Sequence, residues 1–237
     1  MVIQNFRRRS PLRMIDNEKN APALPDGAFG AVYSRPGVGK TAFLVQIAID
    51  AMLSGRNVLH IGLNDPVTKV DLWYQEMIHL MAREEAPDTS EKLWDMIMPH
   101  RFITTFRSEN FNLTTLKDRL ADMIHQQVFI PRLLVIDNID VGNLSKNFLI
   151  EFKNFLKENG LRAWFSLSTP DATTSTTSSF PENLQDKIEL FDLLFRLVMG
   201  SDGNIQLTPE GPLAKETTSN HLYLDPQTML ILREQPY

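Results

Sequence analysis

The run Ser34-Arg35-Pro36-Gly37-Val38-Gly39-Lys40-Thr41 holds the residue types best suited to grip a polyphosphate. An apolar segment precedes it and a helical pattern follows, so it reads as a buried strand, a tight glycine loop and the first turn of a helix. In such a loop the backbone N–H groups around Gly37 to Thr41 point inward at the α- and β-phosphates. Lys40 then reaches the β- and γ-oxygens, and the Thr41 hydroxyl holds Mg²⁺. The general pattern G-x-x-x-x-G-K-[ST] starts with glycine where this chain has Ser34, but Gly37 and Gly39, nearest the phosphates, are kept. The bland alternative is a chance Gly-Lys-Thr at a helix start. The strand and helix predicted on either side favour a nucleotide site.

Metal binding and hydrolysis need a carboxylate as well. Leu133-Leu134-Val135-Ile136-Asp137 supplies one at the end of an apolar strand, and ligands in open parallel sheets sit at that edge. Asp137 is expected to accept from Mg²⁺-bound water or from Thr41. Its alternative role is to cap the turn that follows, Asp-Asn-Ile-Asp-Val-Gly. A zinc site is not expected: the five histidines (His60, His79, His100, His125 and His221) show no ligand spacing, and with no cysteine there is no thiolate site.

The elements that must position these residues follow from periodicity. Strands are predicted at Ala28–Ser34, Asn57–Leu63, Arg101–Phe106, Leu133–Ile136 and Ala163–Leu167. Helical stripes lie between them: Phe43 to Met52 ending near Gly55, Val70 to Met81, about Ser90 to Met98, Leu113 to Ile124 with Asn112 as N-cap, and Leu144 to Leu156 between Asn143 and Gly160. Alternating strands and helices imply a parallel sheet covered on both faces. After the polar run Pro170 to Phe180, which reads as a plain loop, a short helix is predicted at Asn183–Ile188. Closely spaced strands then follow at Leu193–Met199, Asn204–Thr208, His221–Leu224 and Met229–Leu232. Turns at Gly200–Gly203 and Asp225–Thr228 make these an antiparallel C-terminal extension of the sheet. Trp73, Trp94 and Trp164 read as packing residues.

The bulk numbers describe one large α/β domain. The chain has 237 residues, 43% hydrophobic and 22% charged, with a net charge of −5. Residues 1–26 form a basic arm with Arg7, Arg8, Arg9 and Arg13, and residues 27–237 form the nucleotide-binding domain. No apolar run is long enough to span a bilayer, no apolar segment follows the arginines as in a secretory signal, and zero cysteines suit a reducing cytosol. A cytoplasmic protein with no membrane partner is expected. The arginine cluster fits a solvated terminus, a nucleic-acid or acidic partner, or a neighbouring subunit equally well.

Ser34 to Phe43, with Arg35-Pro36 ahead of the glycines, resembles the P-loop of the RecA-like ATPase domain of DnaB-type replicative helicases. Val58 to Pro66 is similar to that family's second strand, Leu167-Ser168-Thr169 to its sensor strand, and Ala214 to Thr217 followed by Leu224-Asp225-Pro226 to its late strand pair with Lys-x-Arg. The resemblance, over about residues 27–233, implies a RecA-like fold, ATP and Mg²⁺ as cofactors, and assembly with further copies. It also implies departures. The family's catalytic Glu falls at Asn64, and an amide cannot act as general base. Asp65 is adjacent, but on a continuing strand it faces the opposite way, so it substitutes only if the strand has already ended. The γ-phosphate-sensing Gln falls at Thr169 and the Arg finger at Thr217, while Lys215 survives as a candidate to reach a phosphate across an interface. The family's channel loop is basic, whereas Pro170 to Asp186 has no Lys or Arg and carries Asp171, Glu182 and Asp186. The expected function is ATP and Mg²⁺ binding with weak or absent hydrolysis in a regulatory or assembly role. An active DNA-dependent ATPase using Asp65, or an interaction module with a relic loop, are the alternatives.

Overall fold

Runs of Val, Ile, Leu and Phe become strands buried on both faces, as a sheet covered by helices on each side requires. The computed structural model describes residues 10–11, 24–83, 85–168, 184–201, 203–216 and 222–232. Its strands are β1 (Phe29–Ser34), β2 (Val58–Leu63), β3 (Arg101–Phe106), β4 (Leu133–Ile139), β5 (Arg162–Ser168), β6 (Leu193–Met199), β7 (Ile205–Glu210), β8 (Leu222–Leu224) and β9 (Ile231–Leu232). Among the described residues they form one nine-stranded sheet in the order β3-β2-β4-β5-β1-β6-β7-β8-β9. The first six in that order are parallel, and the last three run antiparallel to their neighbours. The α/β class and the antiparallel C-terminal extension are as the sequence predicts.

Helices α1 (Lys40–Leu53), α2 (Val67–Ala82) and α3 (Thr89–Ile97) cover one face, packing with Val32, Trp164 and Phe195. The other face is covered by α4 (Leu113–His125) and α5 (Lys146–Glu158), which pack on Phe29, Ile61, Leu134 and Phe165. The steps β1→β2→β3 move one way across the sheet with helices on the first face. The steps β3→β4→β5 move back with helices on the second, as a single crossover handedness requires. The carboxyl ends of β1, β2 and β4 therefore share one edge. No helix among the described residues is long and apolar enough to cross a membrane.

Four expectations need correction. First, α1 is not a one-sided stripe, since every residue in it except Thr41 is buried. It lies beneath α2 on one side and the C-terminal strands on the other. Second, α5 opens at Ser145, whose hydroxyl accepts from the Phe148 N–H at 3.1 Å. Asn143 instead ends the 3₁₀ turn Val141–Asn143 and donates to Asp140 at 2.8 Å, so Leu144 precedes the helix. Third, the predicted helix before β6 is a turn and the 3₁₀ segment Ile188–Leu190, with Asn183 outside the described residues. Fourth, Pro212–Glu216 is a 3₁₀ turn rather than strand, because Gly211 turns left-handed at φ 102° and Pro212 locks the next φ. The polar run 170–180 and nearly all of the 1–26 arm also lie outside the described residues.

Trp164, 1% exposed, packs against both Phe43 and Phe195, with ring centroids 6.2 and 6.0 Å away. Trp164→Ala is expected to destabilise the fold by about 3–5 kcal/mol in urea unfolding. A loss below about 1 kcal/mol would contradict this packing.

Candidate functional site

Between β1 and α1 the chain reverses through two left-handed glycines, Gly37 at φ 80° and Gly39 at φ 93°. L-residues adopt this conformation only under strain. Val38 between them is buried and pins the bend to the core, whereas Arg35, Pro36 and Gly37 are exposed. No side chain caps α1, and unpaired N–H groups at a helix start are what an anion site uses. The Lys40 ammonium lies inside the bend, donating to the carbonyls of Ser34 at 3.1 Å and Arg35 at 2.9 Å. Burial holds its pKa below the ordinary lysine value, and the Asp137 carboxylate opposes that shift.

The β4 carboxylate reaches this bend through an irregularity in its strand. The register between β4 and β5 shifts between Ile136 and Ile139, and Asn138 is left-handed at φ 63°. Such bulges re-aim side chains at sheet edges. Asp137, 2% exposed, accepts from Thr41 Oγ1 at 2.8 Å through Oδ2. Its Oδ1 accepts from the Asn138 N–H at 3.1 Å and from the Ser166 hydroxyl. Three donors thus satisfy the oxygens of a carboxyl group held out of water. Sequence reasoning missed Ser166; its signal was a lone hydroxyl in the buried middle of β5.

The β2 end resolves the question around Asn64. The strand stops at Leu63, and Asn64 turns left-handed at φ 63°. Its side chain donates to Ser108 Oγ at 2.5 Å and accepts from the Ser108 N–H at 3.0 Å. Asn64 therefore serves the loop after β3. Asp65 swings to the β4 side, accepting from Asn138 Nδ2 at 2.7 Å and from Lys69 Nζ at 2.7 Å. Of the two cases open for Asp65, the strand has already ended: the left-handed Asn64 breaks the alternation.

The backbone of the turn Pro212–Glu216, where Lys215 lies, is tied by the Leu213 N–H to the carbonyl of Asp192, whose own N–H bonds the Phe29 carbonyl at the start of β1, the opposite edge of the sheet from the bend. Thr169 and Thr217 lie outside the described residues. The turn between β8 and β9, in contrast, does reach the bend. Met229, left-handed at φ 56°, takes a bond from Gln46 Nε2 to its carbonyl at 2.7 Å. A Cβ on Gly39 would stand 2.9 Å from its sulfur.

On the face that carries Asp137, His60 is buried in β2 with Nδ1 2.9 Å from the Tyr74 hydroxyl. Burial lowers its pKa to about 4, with the Asp137 carboxylate pulling upward and Arg101 downward. Among the described residues no three His, Cys, Asp or Glu converge as a metal cage. The Thr41–Asp137 pair nevertheless offers the hard oxygens Mg²⁺ prefers, and Mg²⁺ commonly takes one or two protein ligands and completes its shell with phosphate and water. The chain matches no family model and no curated protein.

Two outcomes follow. Gly39→Ala is expected to cost about 1–2 kcal/mol for the backbone alone, more than Gly37→Ala, which meets nothing within 4 Å; thermal unfolding of both variants checks the order. For His60 the folded pKa of about 4 lies below the unfolded value of 6.5, so the unfolded chain takes up the proton first. Stability should therefore fall as pH drops from 6.5 towards 4, by roughly 3 kcal/mol from this group. Urea titrations at pH 7 and 4.5 should show a smaller drop for His60→Gln than for the wild type.

Proposed function

We propose that this chain is an ATP- and Mg²⁺-binding P-loop domain of the RecA-like, DnaB-like kind, with weak or absent hydrolysis, acting as a nucleotide-dependent regulatory or assembly module. The observation that carries the reading is the hydrogen bond from Thr41 to Asp137 at the foot of the Gly37–Gly39 bend. It joins a phosphate-type loop to an acid from a separate strand, the two halves that nucleotide binding needs. The strand order and the helices on both faces are compatible with a RecA-like fold. In this reading the bend amides and Lys40 hold the phosphates, Lys40 giving up the Ser34 and Arg35 carbonyls to do so. Thr41 and Asp137 hold Mg²⁺, which when bound neutralises the β- and γ-phosphate oxygens. The amide at Asn64, committed to Ser108, supports slow turnover because it neither accepts a proton nor faces the bend.

One observation favours the second reading, an active DNA-dependent ATPase. Asp65 is a carboxylate one residue beyond the family's Glu position, and its contact with Asn138 puts it beside Asp137. Fluorescent ATP binding and steady-state phosphate release, each with and without single-stranded DNA, separate the readings. The expected result is Mg²⁺-dependent binding, weakened about ten- to a hundredfold by Lys40→Ala through loss of charge-assisted hydrogen bonds, with little release and no response to DNA. DNA-stimulated release abolished by both Lys40→Ala and Asp65→Asn would establish the second reading. Absence of ATP affinity in the wild type would overturn both.

A further inference from the structure

We infer that the basic segment preceding Ser10 docks, within its own chain, into the acidic groove between α2 and α3. The groove has a volume of about 720 Å³. Its apolar lining includes Leu72, Ile78, Pro87 and Trp94, and its acidic lining is Glu76 and Glu91. Leu72 is 62% exposed, so an apolar stripe is open beside the two carboxylates. Neither glutamate has an ion-pair partner among the described residues. The cations closest in sequence are committed: Lys69 to Asp65, Lys92 to Asp88 and Arg101 to Asp71. Arg83 stands beyond the groove at the C-terminal end of α2.

The occupant is indicated by where the chain is anchored. Ser10, 4% exposed, lies in a small cavity with Ile49, Leu53, Met81 and Leu230. Residues 1–9 therefore leave from beside Met81, one helical turn from Ile78 in the groove lining. Extended, nine residues span up to about 30 Å, against about 14 Å of helix between Met81 and Leu72. Their chemistry is complementary: Val2, Ile3 and Phe6 suit the Leu72–Trp94 stripe, and Arg7, Arg8 and Arg9 suit Glu76 and Glu91. A tether this short gives the segment an effective concentration on the order of millimolar, which a second copy or an unrelated partner does not have. This inference does not depend on the nucleotide reading.

The chain has no cysteine, which makes the test clean in the full-length protein. Gln4→Cys with Gln75→Cys, oxidised gently at low protein concentration, is expected to close an intramolecular disulfide at least about tenfold faster than Gln4→Cys with the exposed Gln206→Cys on β7. Adding Glu76→Gln and Glu91→Gln, or raising the ionic strength, should remove most of that advantage. Equal closure rates overturn the inference, and so does a product that is mainly the intermolecular dimer, which would assign the segment to another copy. A second readout needs no cysteine: trypsin should cut after Arg7 to Arg9 more slowly in the wild type than in Glu76→Gln/Glu91→Gln at low salt. Indistinguishable cutting overturns it as well.

Discussion

A negative charge held almost out of water organises the carboxyl edge of this sheet. Asp137 is tolerable there only because Thr41, Ser166 and the Asn138 amide all donate to it. Each donor comes from a different place: the start of α1, the middle of β5 and the kink of β4 itself. Satisfying one carboxylate thus sets the angle at which α1 leaves the bend and the position of the kink. The cost of breaking the set falls on the buried charge left behind, which ties three separate elements into one unit.

The same edge is built on left-handed asparagines. Asn64, just after β2, and Asn138, one residue before the last of β4, share the same φ region, and the Asp65–Asn138 contact links the two strand ends. Asparagine tolerates this conformation better than most residues because its short amide can bond locally. Here the Asn64 amide bonds across to Ser108, so the loops after β2 and β3 are tied together. His60 and Tyr74 lie beneath this edge as a buried polar pair, on the face where Gln46 and Asp50 of α1 are also buried. The carboxyl edge is therefore polar below as well as above.

How much of this was legible depended on how far apart the cooperating residues lie. The glycine bend, Lys40 and Thr41 are contiguous, so their pattern and the helix behind them could be read directly. Asp137 could be read because it closes an apolar run and the sheet class assigns the strands' carboxyl ends to one edge, although β4 itself runs on to Ile139. The direction of Asp65 could not, since it is decided by Asn64, whose conformation rests on a partner 44 positions away. Ser166 carried a local signal, a hydroxyl in a buried strand, but nothing local marks either it or Met229 as neighbour to a bend more than a hundred residues earlier. Local capping was misplaced by two residues at α5 because Asn143 and Ser145 are both competent caps, and only the preceding 3₁₀ turn decides between them.

Seating Met229 against Gly39 has a bearing on how the molecule comes together. The Gln46 bond to that residue spans 183 positions, among the most non-local contacts a chain of this size can make. Contacts of such separation form late, after the intervening strands have paired. The glycine bend therefore gains its last wall only once β8 and β9 are laid down.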